Sequence, residues 1–178
     1  MINGKAEVGK DTLCDFIIGN YFAEKISSID PIIEIALNTT DWDGVKNKKS
    51  RKFLSDLKRA YISFNDLPNV YLIKKYNEFL KNNNDILFIH IRESDQIDDF
   101  LKKIEGTCCS TTLLIKSKKK RKPVFFGNDS DDYVDNYQYG YEYNNIQPLE
   151  KAEEDFMGFF QKLLEAENIS FNKKHDKL

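Results

Sequence analysis

The 178-residue sequence predicts an α/β protein with a largely parallel sheet, on three observations. Short apolar runs alternate with stretches of helical periodicity, a pattern typical of repeated strand–helix units. The run ILFIHI at 86–91 is apolar throughout and bounded by turn residues, as in a strand buried on both faces. A glycine-containing loop leads into the first helix. Because no internal repeat or linker divides the chain, we expect one domain over residues 1–178.

Composition excludes several classes of protein. Hydrophobic residues make up 40% of the chain and aromatic residues 13%, which is enough for a core and excludes global disorder. The 27 basic and 29 acidic residues lack the basic excess of a general nucleic-acid or membrane binder. No apolar run could span a bilayer, and no secretory signal is recognisable. With three cysteines in neither a disulfide nor a zinc pattern, we expect a reduced cytoplasmic protein of undetermined oligomeric state.

Apolar spacing places the individual elements. Helices are predicted at 10–24, from Asp30 onward, at 50–62, at 70–81, from Ser94 to Gly106 and from Leu149 to Leu164. Strands are predicted at 25–29, 86–91 and 111–116, and the aromatic stretch at 137–143 returns the chain to the fold. Asp30 and Ser94 are expected to cap their helices. Only three residues precede Gly4, so the first strand is either a stub or starts further upstream.

The residues from Gly4 to Thr12 read GKAEVGKDT and match G-x-x-x-x-G-K followed by Asp-Thr. The glycines let such a loop curl so that consecutive backbone N–H groups point at phosphate oxygens. The helix that starts near Lys10 adds its N-terminal dipole. We therefore predict a nucleotide-phosphate loop made of Gly4, Lys5, Ala6, Glu7, Val8, Gly9, Lys10, Asp11 and Thr12.

Three side chains of this loop have predicted roles. Lys10 is expected to reach the β- and γ-phosphates as a point charge. Asp11 stands where a hydroxyl usually binds Mg²⁺; its carboxylate either takes over that role, directly or through water, or only favours the helix N-terminus. Thr12 is either a donor to the α-phosphate or an ordinary residue of the first helical turn. ATP and Mg²⁺ are thus the expected cofactors.

Arginine is rare in this chain and therefore informative. The four are Arg51, Arg59, Arg92 and Arg121, against 23 lysines. Arg92 follows the buried strand at the sheet edge where α/β proteins bind ligands, and its guanidinium suits a phosphate. The alternative for Arg92 is an ion pair with Glu93 or Asp95. Arg51 begins a basic helix and is either a second phosphate ligand or part of a solvated face, and for Arg59 the solvated face is preferred.

Other polar and aromatic residues have both a structural and a functional interpretation. For Asp30 a helix cap is preferred over a hydrogen-bond acceptor for the substrate. His90 lies in an apolar strand, where a satisfied core histidine is preferred over a catalytic base. For Trp42, Tyr61 and Phe64, core packing is preferred over stacking on a base.

Several segments together resemble one family. GKAEVGKDT resembles the loop of the phage deoxynucleoside monophosphate kinases and of bacterial relatives that include adenylate kinase-like proteins, and phosphomevalonate kinase carries a similar loop. A looser likeness covers SSIDPIIEIA at 27–36, DWDG at 41–44, KNKKSRKFLSDLK at 46–58, FIHIRE at 88–93 and GNDSDDYVDNYQYGYEYNN at 127–145. The resemblance implies a three-layer P-loop kinase fold with a short lid, Mg·ATP as donor and a small phosphorylated acceptor.

The same resemblance implies roles for individual residues. Donor-phosphate roles fall to Gly4, Gly9, Lys10, Asp11 and Thr12, and acceptor-side roles to Asp30, Arg51 and Arg92 in a helical segment near 30–82. Two positions depart from the family. His90 stands where many P-loop kinases have an acidic residue that orients the metal, and Gly140 stands where such sequences often have Asp.

A charged segment at 117–135 is predicted to be the lid. The basic run at 116–122 corresponds to the family's lid, and the acidic run DSDD follows at 129–132. A lid would close over the triphosphate and exclude water. The alternative is a static, solvated hairpin.

Together these features predict a phosphoryl-transfer enzyme of the nucleoside monophosphate kinase type. Lys10 and Arg92 are the predicted catalytic residues, and Arg51 helps to hold the acceptor phosphate. Catalysis would be positioning and charge neutralisation, with no general base because the attacking phosphate oxygen is already ionised. The alternatives are a kinase for another small phosphate such as phosphomevalonate, and an ATP-binding protein with little transfer activity. Base and sugar stay open.

Overall fold

The computed structural model of the chain describes residues 1–117, 134–171 and 173–174. The strands in these ranges are β1 Ile2–Asn3, β2 Ala23–Ser27, β3 Ile86–His90, β4 Leu113–Lys116 and β5 Tyr141–Asn144. The helices are α1 Lys10–Asn20, α2 Asp30–Thr39, α3 Lys48–Asn65, α4 Leu67–Phe79, α5 Ser94–Ile104 and α6 Leu149–Ala166, and a 3₁₀ turn spans Val134–Asn136. The predicted α/β class is confirmed. Across these ranges no helix combines the length and apolar character needed to cross a bilayer.

Each strand pair in the described part of the chain is parallel. β4 pairs with both β1 and β5, and β2 pairs with β3. β1 lies beside β3, and Asn3 Nδ2 donates to the Ile91 carbonyl at 2.6 Å. The strand order is therefore β2, β3, β1, β4, β5. The connections that leave β1 and β3 run in opposite directions, which opens a crevice at their carboxyl ends of the kind that binds ligands in α/β proteins.

Helices cover both faces of the strands. α1 and α6 pack on one face, where Leu13, Ile17 and Phe156 cluster with strand residues such as Phe88. α4 and α5 pack on the other face in a cluster that includes Leu72, Tyr76, Ile89, Ile91 and Phe100. Because side chains alternate along a strand, neighbours such as Phe88 and Ile89 enter opposite clusters.

A third apolar cluster joins α2 to α3 and is separate from the two on the strands. Its buried members are Ile32, Ala36 and Leu54, and Trp42 and Tyr61 pack against them. Core packing is thus confirmed for these two aromatic residues. It is wrong for Phe64, which is 83% exposed.

Several predicted boundaries are wrong by a few residues. α1 ends at Asn20, because the backbone of Tyr21 is extended. The Tyr21 N–H still makes the last bond of the helix, to the Ile17 carbonyl. β2 consequently spans 23–27 and not 25–29. The gap between the helices predicted at 50–62 and 70–81 shrinks to Asp66, whose positive φ of 54° turns the chain directly from α3 into α4.

Both predicted helix caps are also wrong. Ile29 holds the cap position of α2, and Asp30 is its first helical residue, with a carboxylate that accepts the Ser27 N–H at 2.7 Å. Glu93, not Ser94, holds the cap position of α5. Gly106 follows α5 with φ 75°, consistent with the predicted helix end.

Candidate active site

One cleft of about 500 Å³ opens at the carboxyl ends of β1, β2 and β3. The loop after β1, the turn after β2, one side of α3 and the residues after β3 form its walls. This volume is typical of small-molecule sites. A second cavity of about 410 Å³ lies at the opposite, amino ends of the strands and is mainly apolar. Charged side chains converge in the first cleft, which is therefore the candidate active site.

The loop between β1 and α1 needs glycine at both positions that the motif specifies. A Cβ on Gly4 would lie 2.6 Å from the Ile115 carbonyl oxygen, so only glycine fits against β4. Gly9 has φ 90°, in the left-handed region, and Glu7 also has a positive φ of 64°. The backbone therefore turns sharply before α1, as in loops that direct N–H groups at an anion.

Asn145, at the end of β5, holds this loop from the other side. Its Nδ2 donates to the Val8 carbonyl at 2.9 Å. A Cβ on Gly9 would lie 2.6 Å from the same nitrogen. The loop is thus fitted between two strands, and sequence reasoning missed Asn145 because it lies more than 130 residues away from the loop.

Lys10 and Asp11 lie at the entrance of α1 and line the cleft. Lys10 is largely buried, with 11% of its side chain exposed, and its Nζ is 3.7 Å from the Asp11 carboxylate. The first amide that bonds within α1 is that of Leu13, which donates to Gly9, so the amides of the first turn precede the helical hydrogen bonds. Thr12 is exposed and does not line the cleft, so the structure does not bring its hydroxyl to the other site residues.

His90 ends β3 beside these two residues. Its Nε2 lies 3.9 Å from Asp11 Oδ1 and 3.9 Å from Cys14 Sγ. His90 is buried, as predicted for a core histidine, and Nε2 has Cys14 as a hydrogen-bond partner, but its Nδ1 has none among the described residues. Burial, helped by Lys10, lowers the pKa of His90 to about 4, so the imidazole is neutral at pH 7. Burial opposes ionisation of Asp11, but nearby positive charge, that of Lys10 above all, outweighs it and lowers the pKa of that carboxyl.

The predicted acceptor residues Asp30, Arg51 and Arg92 line this same cleft. Arg51 lies in the first turns of α3, and Arg92 follows β3. Burial raises the pKa of Asp30, although its bond from the Ser27 N–H opposes the rise. Arg59 lines the cleft as well, while its guanidinium remains 71% exposed, 4.0 Å from Asp56.

A buried ion pair that was not predicted lies beside the predicted acceptor residues in the cleft. Lys58 Nζ donates to both Glu93 carboxylate oxygens at 2.7 Å and to Ser28 Oγ at 2.9 Å. Only 9% of the Lys58 side chain is exposed. Burial lowers the pKa of Lys58, and the facing Glu93 opposes that shift. Glu93, one of the two ion-pair partners named in the alternative for Arg92, pairs here with Lys58 of α3.

The loop side of the cleft is suited to an anion, since the curled loop and the largely buried Lys10 offer donors to it. Asp11 adds the oxygen type that Mg²⁺ prefers, and Mg²⁺ sites commonly use one or two carboxylates with substrate phosphates and water. The other side chain at this point is the neutral imidazole of His90, in place of the acidic residue of many P-loop kinases. Among the described residues no three His, Cys, Asp or Glu side chains are arranged to hold a metal by themselves.

The predicted lid at 117–135 falls almost entirely outside the described residues. Asp135, the last residue of this segment, is among the described residues, and its carboxylate pairs with Nζ of Lys5 in the loop at 4–12 at 2.7 Å. Gly140 donates its N–H to Thr112 Oγ1 at 2.8 Å and does not line the cleft.

No protein-family model matches the chain, and no curated protein matches it.

Gly9→Ala is expected to weaken ATP binding by about tenfold, which corresponds to about 1.4 kcal/mol. Alanine would have to adopt the left-handed φ of 90° that this position requires, which is strained for a residue with a Cβ. The new Cβ would also displace Asn145 from the Val8 carbonyl. Calorimetric titration with ATP measures the change. Gly19→Ala is the matched control, because Gly19 lies on α1 with open space around it. Equal ATP affinity in both variants would contradict the account of the loop.

His90→Gln is expected to flatten the pH dependence of the free energy of unfolding between pH 6.5 and 4. A histidine whose folded-state pKa lies below its unfolded value of 6.5 binds fewer protons when folded, so stability falls as pH drops through this window. Urea unfolding at several pH values measures the profiles. Identical slopes for the variant and the wild type would show that His90 titrates normally in the folded protein.

Proposed function

We propose that this protein is an ATP-dependent phosphotransferase whose acceptor is a small phosphorylated molecule, in the first place a nucleoside or deoxynucleoside monophosphate. One observation carries the proposal: Lys10 and Asp11 of the loop at 4–12 line the same cleft as the arginines Arg51 and Arg92. An anion-binding loop facing a second cationic wall suits a reaction between two phosphorylated substrates.

The donor half would bind the triphosphate of ATP. Backbone amides of the loop and of the first turn of α1 would hold its oxygens, and Lys10 would neutralise charge on the transferred group. Asp11 is the candidate ligand from this chain for the expected Mg²⁺, which when bound would offset the charge of the phosphates. His90, a neutral side chain at that point, adds no negative charge against the phosphates.

The acceptor half would hold the second phosphate. Arg51 and Arg92 each offer a planar fork of N–H donors that matches a phosphate. They would aim one acceptor oxygen at the γ-phosphorus; as the new P–O bond forms, the bond to the β,γ-bridging oxygen breaks and ADP leaves. That acceptor oxygen carries no proton to be removed, so the reaction needs no general base.

The architecture supports the finer prediction of a three-layer P-loop kinase fold. Parallel strands lie between helices on both faces, and the phosphate loop follows β1 at the point where the connections diverge. The Lys5–Asp135 pair attaches the end of the predicted lid segment to the loop. A lid over the triphosphate remains part of the proposal.

A second candidate is a kinase for a small non-nucleotide phosphate such as phosphomevalonate. The apolar lining of the acceptor half favours it, since Ile29, Ile33, Leu54 and Ile62 are aliphatic. Aliphatic side chains suit a branched or linear carbon chain at least as well as a planar base. The third alternative, ATP binding with little transfer, is favoured by His90 and by the short first strand, since β1 has two residues; Gly140, which also departs from the family, does not line the cleft.

A panel of acceptors tests the proposal and ranks the candidates. ADP release from ATP would be followed with each nucleoside and deoxynucleoside monophosphate and with phosphomevalonate.

Lys10→Ala is expected to abolish transfer while the fold survives, because the charge of Lys10 serves the phosphates and not the core. Charge-assisted contacts contribute about 1.5–3 kcal/mol to binding. Circular dichroism checks the fold. Wild-type turnover in the Lys10→Ala variant would refute the loop assignment.

Arg92→Lys is expected to raise the KM for the acceptor or lower kcat by about tenfold and to leave ATP affinity nearly unchanged. Lysine keeps the charge but loses the two parallel hydrogen bonds of the guanidinium. Arg59→Lys is the comparison, because this largely exposed guanidinium should tolerate the exchange. Equal damage to ATP and acceptor binding by Arg92→Lys would place Arg92 in the donor site or in the fold.

A further inference from the structure

The buried contact of Lys58 with Glu93 and Ser28 joins three separate elements at the acceptor half of the cleft. Lys58 lies on α3, Ser28 follows β2, and Glu93 follows β3. Three short hydrogen bonds, two at 2.7 Å and one at 2.9 Å, converge on one nitrogen. We call this contact the α3 latch.

The apolar contacts of α3 do not duplicate this attachment. Leu54, its buried apolar residue, belongs to the cluster with α2, which is separate from the two clusters on the strands. α3 also packs against α4, which in turn contacts β2. The latch is therefore a direct, polar attachment of α3 to the carboxyl edge of β2 and β3.

Residues at both ends of the latch adjoin the arginines of the cleft. Glu93 is the next residue after Arg92, so fixing its carboxylate restrains the backbone that carries Arg92. Lys58 lies two helical turns after Arg51 on the cleft-facing side of α3, a distance of about 10 Å along the helix. Holding Lys58 therefore fixes the position and the rotation of the helix that presents Arg51.

We propose that the α3 latch is a positioning device that sets the separation of Arg51 and Arg92 for a phosphorylated acceptor. Lys58 and Glu93 are positioning residues in this proposal, and they act through the two arginines. The substrate part of the inference rests on the proposed function. The mechanical part, that the latch holds α3 against the strand edge, is measurable without turnover.

Lys58 also lines the cleft, so a direct contact between its ammonium and the acceptor is the competing interpretation. The two predict opposite results for Glu93→Gln. If Lys58 binds the acceptor itself, removing the competing carboxylate should lower the acceptor KM. If the latch positions the arginines, loosening it should raise the acceptor KM.

The test compares three variants with a matched control. Glu93→Gln weakens the latch, and Ser28→Ala removes one bond at little structural cost. The double variant Lys58→Met with Glu93→Gln removes the ion pair without leaving a lone buried charge, which is the less destabilising way to delete such a pair. The control is Lys52→Met with Asp56→Asn, which removes an exposed 2.7 Å ion pair from the same helix.

The readouts are acceptor KM, ATP affinity and amide hydrogen exchange over residues 48–65. We expect Glu93→Gln and the double variant to raise acceptor KM about tenfold or more, since small displacements of positioning groups have large effects. Ser28→Ala should show a smaller rise. ATP affinity should stay within twofold, exchange in α3 should accelerate, and the control should match the wild type in all three.

Wild-type acceptor KM and wild-type exchange in the double variant would overturn the latch. A lowered KM in Glu93→Gln would overturn it in favour of direct binding by Lys58. If the wild-type protein transfers phosphate to no acceptor, the proposed function fails, and the exchange measurement alone then decides whether the latch holds α3.

Discussion

The close approach of the loop at 4–9 to two neighbouring strands is the constraint on which the candidate site depends. No side chain fits at Gly4, because the Ile115 carbonyl of β4 would lie 2.6 Å from its Cβ. On the other side Asn145 holds the Val8 carbonyl. With its backbone fixed at both points, the loop enters α1 with Lys10 directed into the cleft. A change in either contact would move the amides and the lysine together.

The cleft has a half formed by the loop, proposed to bind the donor, and a half that contains Arg51 and Arg92, proposed to bind the acceptor. The charged side chains of the two halves are neutralised differently. In the donor half, Lys10 and Asp11 approach a neutral His90, whose burial keeps the imidazole uncharged. In the acceptor half, Lys58 is already neutralised by Glu93. Arg51, Arg92 and Lys46 also line the cleft, and the planar guanidinium of an arginine is the donor best suited to a second phosphate.

Features with a local sequence signal were predictable, and features made by distant residues were not. The loop and the run at 86–91 were found because glycine spacing and continuous apolarity are local patterns. The caps assigned to Asp30 and Ser94 were wrong, because a cap depends on backbone angles that residue type only suggests. The Lys58–Glu93 pair spans 35 residues, and nothing near either residue distinguishes it from a solvated charge. The predicted start of β2 was two residues too late, because α1 ends earlier than its apolar spacing indicated.

The central claim is that one cleft holds both a nucleotide triphosphate and a phosphorylated acceptor. The most direct measurement is the affinity of a bisubstrate ligand in which the γ-phosphate of ATP is joined to the phosphate of the preferred acceptor, measured by calorimetry. The account predicts one site per chain and a Kd at least about a hundredfold below that of ATP, because the second half binds without a second loss of translational freedom. A Kd no lower than that of ATP alone would show that the acceptor half does not act with the loop.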